Sequence, residues 1–365
     1  MKVCHITSAH SWDDVRIFRK ECTSLAQNGF EVYLLAYEAD EGRRNGVHVV
    51  SAGKRPLSRF SRMYSGVNHI VRLALELDVD IYHIHDPELL RKSSVFIKKG
   101  KKLIYDAHED LPEQIKSKHW IPLYIRNSIS YFVQFFLNFT ISRISATVSA
   151  TPIIQQKLKK INPNAINVSN FPLLEELDFV EQDLVKKNAF CYVGGLFITR
   201  GLIEMLDAIR HVDSKLCLAG KFSPESLETE AKNHKSWNKV EYLGFINRKE
   251  VYELMSSSIA GLVILHPTQS YRDSLPIKMF EYMSAGIPVI CSDFELWKSI
   301  VEQEKCGICV NPMNTDEIAA AMNFIKNNPD KAILMGKNGK DSILKKYNWN
   351  IESKKMIALY HSLSN

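Results

Sequence analysis

Asp273 and Glu281 are two carboxylates eight residues apart in the run Asp273-Ser-Leu-Pro276-Ile-Lys278-Met-Phe-Glu281-Tyr-Met-Ser-Ala-Gly286-Ile-Pro288-Val-Ile. Pro276 suits a first helical turn, where its missing N–H costs little. Gly286 suits the left-handed position just past a helix end. The pattern predicts a helix that begins just after Asp273 and holds Glu281, then a buried strand over 288–291. Free backbone N–H groups and the positive end of the helix dipole would face whatever lies beside Asp273. An anion such as a sugar diphosphate fits that geometry, and Glu281 can accept hydrogen bonds from ribose hydroxyls. Lys278 lies three residues before Glu281 on the same face. It either pairs with Glu281 or adds its charge to a diphosphate.

Three other places carry side chains able to do chemistry. His108 ends a strand between Asp106 and Glu109, where it can touch a reacting sugar or lie on a surface turn. His85-Asp86 has the same place one strand earlier; it can hold an acceptor hydroxyl or cap the next helix. Gly194-Gly195-Leu-Phe-Ile-Thr-Arg200-Gly201 reads as a strand end, a flexible loop and a helix start. Its glycines let backbone approach a ligand closely, and Arg200 can grip phosphate oxygens with its planar fork. The G-x-G-x-x-G fingerprint is absent. The first strand-to-helix loop, from Ser8 through His10 to Asp14, holds no glycine. Both facts argue against a nicotinamide oxidoreductase.

The 365 residues suffice for two domains. A hydrophobic share of 45% with 24% charged residues fits a soluble globular chain. Seven scattered cysteines, an odd number, point to a reducing compartment and so to the cytoplasm. The first residues read as a buried strand rather than a signal peptide. Cys306-Gly-Ile-Cys309 lacks the second pair that zinc usually needs, so packed thiols and no metal are expected. The net charge is +6, but the basic residues follow no nucleic-acid motif. A membrane surface with anionic lipid is the better candidate partner. Lys54, Arg55, Arg59 and Arg62 cluster in one loop-like stretch, either a solvated loop or a lipid-facing patch.

The elements that must position these residues alternate along the chain. Strands are expected at 2–7, 31–37, 81–84, 102–105 and 146–150, and helices at 17–28, 67–77 and 153–160. Residues 167–172 read as a junction, and 173–187 are weakly patterned. A second alternation follows, with strands at 190–193, 215–219, 240–243 and 261–265 and helices at 202–210 and 249–257. The fold class is therefore α/β, with two doubly wound halves and a cleft between them. Ligands in such sheets bind outside the carboxyl ends of the strands, where every motif above sits. One stretch stands apart: Trp120, Tyr124, Tyr131, Phe132, Phe135, Phe136, Leu137 and Phe139 fall within 22 residues, 120–141. Its apolar run is shorter than the ~20 residues that span a bilayer. A buried helix is expected, with an interfacial helix in lipid as the alternative.

These residues resemble a known family, the retaining glycosyltransferases of family four, with the two-domain GT-B fold. The resemblance covers nearly the whole chain. It rests on Asp106-Ala-His108, on Gly194 to Arg200-Gly201, and on the Asp273-to-Glu281 motif with Ala285-Gly286-Ile-Pro288-Val. Tyr347-Asn-Trp349, followed by a last helix, is also similar. The resemblance implies an N-terminal acceptor-side domain over 1–172, onto which a helix over 350–365 packs back. A nucleotide-sugar-binding domain would take 173–349. It further implies transfer of a sugar from a nucleotide diphosphate sugar to a saccharide acceptor, lipid-linked and destined for a surface polysaccharide. No metal or other cofactor is implied. His108 would contact the donor sugar near the reacting carbon, Arg200 would hold the diphosphate, and Asp273 would bind sugar hydroxyls. The amides of Ser274 and Leu275 would meet phosphate, with Gly194, Gly195 and Lys278 nearby. Glu281 would bind ribose, and Gly244 and Phe245 would lie near the base. His10, Asp14, His85, Asp86 and Glu109 are the acceptor-side candidates.

Two positions depart from the family pattern. Asp273 stands where the family usually has Glu, and Gly195 where it usually has Arg. Lys278 or Arg272 is then expected to supply the missing cation. Two rival readings are a nucleotide-sugar epimerase of the same architecture and a non-catalytic nucleotide-sugar-binding subunit.

Overall fold

A computed structural model describes residues 1–117, 121–175 and 186–364. Trp120 and most of the weakly patterned stretch after 173 lie outside the described residues. The chain divides into two units, Met1–Asn170 with Asn350–Asn365, and Phe171–Trp349. The division falls at 170/171, two residues before the expected boundary.

The first unit carries β1 (Lys2–Thr7), β2 (Glu31–Ala36), β3 (Gly42–Arg44), β4 (Val47–Ser51), β5 (Ile81–Ile84), β6 (Lys102–Ala107), β7 (Ala146–Ser149) and β8 (Ala165–Asn167). The sheet order is β3-β4-β2-β1-β5-β6-β7-β8, and only the edge pair β3–β4 is antiparallel. Strands such as β1, Lys-Val-Cys-His-Ile-Thr, are buried along nearly their whole length, as a parallel sheet covered on both faces requires. The polar members of such strands must therefore find partners inside the protein.

The second unit carries β9 (Ala189–Val193), β10 (Lys215–Ala219), β11 (Val240–Gly244), β12 (Ala260–Val263), β13 (Val289–Ser292) and β14 (Gly307–Val310). All pair in parallel, in the order β11-β10-β9-β12-β13-β14. This is the doubly wound order whose direction of winding reverses between the first and fourth strands. The reversal lies between β1 and β5 in the first unit and between β9 and β12 in the second.

Three sequence expectations need correction. The helix after Asp273 does not begin beside it. A single turn, Gln269–Arg272, ends on Asp273, and the next helix is Ile277–Ser284. Pro276 precedes that helix as its N-cap and disfavours helical backbone at Leu275, which separates the two. Second, the aromatic helix Leu123–Ile141 is not a core helix. Leu137 and Ile141 are buried, but Tyr124, Tyr131, Phe132, Phe135 and Phe139 are each more than half exposed. Third, the basic cluster is partly spent inside its own unit. Arg55 donates to the Ala9 and His10 carbonyls at 2.9 and 3.2 Å, and Arg62 pairs with Glu88 at 2.9 Å.

The Cys306 thiol is buried, and Cys309 Sγ lies 3.7 Å from Cys291 Sγ on the neighbouring strand. Among the described residues no helix is long and apolar enough to cross a membrane.

Candidate functional site

In the first unit, the loop after β1 and the start of the segment after β5 are tied together by Asp86. Its Oδ2 accepts from the Thr7 hydroxyl at 2.8 Å, the Ser8 N–H at 2.6 Å and the Ala9 N–H at 3.1 Å. That role leaves Asp86 buried, with no side-chain cap on the turn that follows. His85 is not available to an acceptor hydroxyl. It is fully buried, and its Nε2 lies 2.9 Å from His5 Nδ1. His85 thus gives way to a structural role, because β5 is buried on both faces and its end is enclosed, while Asp86 ties the loops through Oδ2 and turns Oδ1 toward His10 Nε2 at 3.5 Å.

Beneath that loop lies a buried polar cluster that the sequence pattern did not reveal. Arg16 makes a two-pronged contact with Asp106, Nε to Oδ2 at 2.9 Å and Nη2 to Oδ1 at 3.0 Å. It also donates to the Val168 carbonyl at 3.0 Å. Burial, the largest single effect, would raise the Asp106 carboxyl, but the neighbouring charges and hydrogen bonds, Arg16 foremost, together outweigh it and hold that carboxyl well below its usual range. Burial pushes Glu21 well upward and the Asp106 charge adds to this, while Arg16 opposes it. Burial pushes His5 and His83 well down, so they are neutral imidazoles.

His5, Glu21, His83 and His85 bring ligand-type atoms within 4.8 Å of one another. The nitrogens that face the group already have partners. His5 Nδ1 lies 2.9 Å from His85 Nε2, and His83 Nδ1 lies 2.7 Å from the Tyr360 hydroxyl. Arg16 Nε is 3.0 Å from Glu21 Oε1. A cation there would have to break hydrogen bonds and face a guanidinium, so the cluster reads as a hydrogen-bonded core.

His108 sits at the edge of this cluster, about a quarter exposed, with Nε2 3.4 Å from Asp106 Oδ2. Burial lowers it to about 4 against the pull of Asp106, so it is neutral near pH 7. Its ring lies 5.3 Å from that of His10. His10 Nδ1 is 3.9 Å from Asp14 Oδ2, and Asp14 Oδ1 accepts from the Arg16 and Ile17 N–H groups at 2.9 Å. The structure thus groups His108, His10 and Asp14, and Asp86 Oδ1 lies with them, 3.5 Å from His10 Nε2. It does not place Glu109 with them. Glu109, two residues past the end of β6, instead lines a separate pocket of about 280 Å³ with Tyr105, Ala107, Leu137 and Ile141.

In the second unit, the loops after β9, β10 and β11 enclose a pocket of about 500 Å³, lined by Gly194, Gly195, Gly220, Lys221, Phe245, Arg248 and Lys278 among others. Gly220 is required there. Its φ is +147°, and a Cβ would come within 1.8 Å of the Gly194 carbonyl oxygen. Gly244 has φ +65° and its carbonyl accepts from the Gly220 N–H at 2.7 Å, holding the two loops together. Phe245 is exposed on the rim, with Lys221 Nζ 5.4 Å from its ring. The Ile277–Ser284 helix starts with no side-chain cap, so its first N–H groups can serve an anion.

Glu281 is almost fully buried between two cations, Lys278 Nζ at 2.6 Å and Arg248 Nη1 at 2.7 Å. Burial would raise its carboxyl, but these two charges together hold it below the usual value. Lys278 thus both pairs with Glu281 and lines the pocket. Arg272 is exposed and lies 5.9 Å from the Phe294 ring, away from the pocket lining. Arg248 and Lys221 were missed by sequence reasoning; neither stands in a motif, and only the folded β10 and β11 loops bring them to the pocket.

Asp273 and its neighbours are more constrained than expected. Asp273 Oδ1 accepts from Gln269 Nε2 at 2.9 Å. The Ser274 N–H is spent on the Tyr271 carbonyl at 3.2 Å, and its own carbonyl accepts from Trp297 Nε1 at 2.6 Å. Leu275 packs against the core of the unit. The Ser274 amide therefore does not serve as a free anion donor. Arg200 closes a short turn, Ile198–Arg200, with its guanidinium 5.0 Å from the Phe197 ring and Gly201 in the left-handed region at φ +73°.

Two family models match the chain. One described as "Glycosyltransferase Family 4" covers residues 15–169, and one described as "Glycosyl transferases group 1" covers 175–342. An uncharacterized glycosyltransferase of Methanocaldococcus jannaschii is 28% identical over 175 residues, 46% of this chain and 43% of that one. The chain thus matches under half the length of this curated relative. Among solved structures, a sucrose-phosphate synthase from Thermosynechococcus elongatus has a TM-score of 0.80 at 16% identity, covering 99% of this chain and 98% of its own. HepE of Anabaena, in complex with UDP, has a TM-score of 0.76 at 14% identity over 99% and 100%. WaaG, a glycosyltransferase involved in lipopolysaccharide biosynthesis, has 0.71 at 14% over 98% and 99%. The fold is GT-B, and the two family models indicate a glycosyltransferase of the family-four kind.

Proposed function

We propose that this GT-B chain is a retaining glycosyltransferase, moving a hexosyl or N-acetylhexosaminyl group from a nucleotide diphosphate sugar to a saccharide acceptor. The observation that carries the reading is the second-unit pocket, where Lys221, Arg248 and Lys278 surround glycine-lined loops beside an uncapped helix start. Such a pocket neutralises a diphosphate leaving group with the protein's own charges. Anabaena HepE, of the same fold, occurs in complex with UDP and with UDP-glucose.

In this reading Arg200 and Lys278 hold the diphosphate, and Asp273 binds hydroxyls of the sugar. Glu281, fixed by two cations, uses its remaining lone pairs for the ribose. The exposed ring of Phe245 offers a face to the base. His108, neutral, meets the donor sugar near the reacting carbon. His10 and Asp14 lie on the acceptor side. Breaking the donor bond releases the nucleotide diphosphate and leaves an oxocarbenium-like sugar. The acceptor oxygen attacks from the face the leaving group vacates, and the leaving phosphate takes the acceptor proton. Retention by this route needs no protein nucleophile and no metal.

The acceptor in this proposal is lipid-linked, belongs to a surface polysaccharide, and is met at the inner face of the cytoplasmic membrane. The exposed aromatic face of Leu123–Ile141 supports that reading.

A thermal-shift screen of nucleotide diphosphates and nucleotide sugars tests the donor. One donor should raise the melting temperature well above the rest, and no response to any of them would sink the proposal. Incubation with that donor and saccharide acceptors, followed by NMR of the product, should show the donor's anomeric configuration. A changed sugar without acceptor would instead mark an epimerase, and tight donor binding without turnover a binding subunit.

A further inference from the structure

Lys221 stands directly across from Gly195, on the neighbouring strand. β9 and β10 pair in parallel as far as Val193 and Ala219, and the pairing runs on past both strand ends. The Gly194 N–H donates to the Ala219 carbonyl at 2.8 Å, and the Leu196 N–H to the Lys221 carbonyl at 2.9 Å. The Ser223 N–H donates to the Leu196 carbonyl at 3.0 Å, and Leu196 and Phe222 form a parallel bridge. The register is the one that pairs Val193 with Ala219, so it sets Gly220 against Gly194 and Lys221 against Gly195. The backbone at Lys221 is thus fixed on one side by the β9 loop. On the other, the Gly220 N–H is held by the Gly244 carbonyl at 2.7 Å.

The side chain of Lys221 is not fixed. Three of the residues that line this pocket are cations, Lys221, Arg248 and Lys278, and none is an acid. Lys278 and Arg248 share one buried carboxylate, Glu281, at 2.6 and 2.7 Å. Lys221 is exposed, and among the described residues its ammonium has neither a carboxylate nor a carbonyl partner. Its neighbour is the Phe245 ring, 5.4 Å away. A cation over a ring at an exposed site is held weakly, and a lysine stem is flexible.

We infer that Lys221 is a diphosphate-binding residue of this pocket, leaving the Phe245 ring for the phosphate oxygens when a nucleotide enters. The inference rests on the proposed reading of the pocket as the donor site. Lys278 and Arg248 meet a diphosphate with their charge already shared with Glu281, whereas Lys221 gives up only a ring contact. Its root beside Gly195 puts that charge where the β9 loop has no side chain of its own. As the donor bond breaks, negative charge grows on the leaving diphosphate, and a mobile ammonium at the pocket wall follows it.

The test titrates the full chain with UDP, dTDP, GDP, ADP and CDP, each beside its own nucleoside. The wild type should bind at least one diphosphate more tightly than the matching nucleoside. Lys221→Met keeps an apolar stem against Phe245 and removes the charge; its circular dichroism and melting temperature should be those of the wild type. It should bind that diphosphate about tenfold more weakly, the size of one charge-assisted contact, and the nucleoside as before. Lys221→Arg keeps the charge and should retain most of the affinity. A folded Lys221→Met with wild-type affinity for the diphosphate would overturn the inference and leave the donor site standing. An equal loss for diphosphate and nucleoside would also overturn it, by assigning Lys221 to the base. A wild-type chain that binds none of the five diphosphates better than its nucleoside would overturn the inference and the donor reading together.

Discussion

Phe197 fills the space into which a side chain on Gly195 would project: a Cβ there would lie 2.4 Å from its ring Cε2. The arginine that the family usually carries at this position is therefore incompatible with the aromatic two residues on. Phe197 itself sits under the Arg200 guanidinium. We predict that Gly195→Arg alone costs about 1–3 kcal/mol of stability through overpacking, and that Phe197→Gly in the same chain recovers most of it. Urea unfolding of the four members of the cycle measures the coupling; simple additivity would show the two positions to be independent.

The cations at the pocket come from other elements, and Glu281 ties two of them. Its folded-state carboxyl lies below the unfolded value. Its contribution to stability is therefore full above an unfolded pKa of about 4.3 and is lost as pH falls through the lower folded value. Arg248→Met should lift the Glu281 carboxyl and move that loss to higher pH. Stability curves between pH 3 and pH 7 at about half-unit steps would show it, and superimposable curves would remove Arg248 from the account.

Lys278 has both a partner and a place on the pocket wall. Lys278→Ala should weaken donor binding about tenfold, the loss of one charge-assisted contact. Calorimetric titration with the donor found by the thermal-shift screen measures this. Unchanged affinity and turnover would rule Lys278 out as the replacement for the missing arginine.

Acid should unfold the first unit early. His108 titrates at about 4 in the folded chain because it is buried, and His5 and His83 are also pushed down. The unfolded chain takes up these protons near pH 6.5, before the folded one does, so stability falls as pH drops from about 6.5 toward 4. His83→Phe removes one of these protons and should flatten the fall. A slope between pH 6.5 and 4 (about the window set by the unfolded and folded values) equal to that of the wild type would contradict the assignment.

Vesicle flotation addresses the aromatic helix. Phe132→Ser with Phe135→Ser removes two exposed rings without touching Leu137 or Ile141 beneath. The variant should lose most of its binding to vesicles containing anionic lipid and keep its turnover on a water-soluble acceptor. A wild-type chain that never floats would dispose of the lipid-facing reading.

Much of the fold was legible because parallel strands announce themselves by apolar runs and because glycine marks helix ends. β1 and β10 fall where the sequence puts them, and Gly286 takes the left-handed backbone expected of it, at φ +68°. What escaped was decided by long-range packing. Arg16, Glu21 and Asp106 look like surface charges, yet they form a buried cluster whose members are 90 residues apart in the chain. Glu109 looked like a companion of His108, but past the end of β6 the chain turns it into the pocket lined by Tyr105 and Ala107. The aromatic residues of Leu123–Ile141 have the composition of a core helix, and composition alone does not say which side is covered.

The last helix has a consequence for the order in which this protein is built. Phe171–Trp349 is one uninterrupted segment, whereas the first unit needs Met1–Asn170 and Asn350–Asn365 together. On the ribosome, the whole second unit is translated before Tyr360 exists. Until then His5 and His83 lack their shared partner, and the Ser169 N–H lacks the Glu352 carboxylate that accepts it at 2.8 Å. The half of the chain that is translated first thus cannot complete its own packing until residues 350–365 exist.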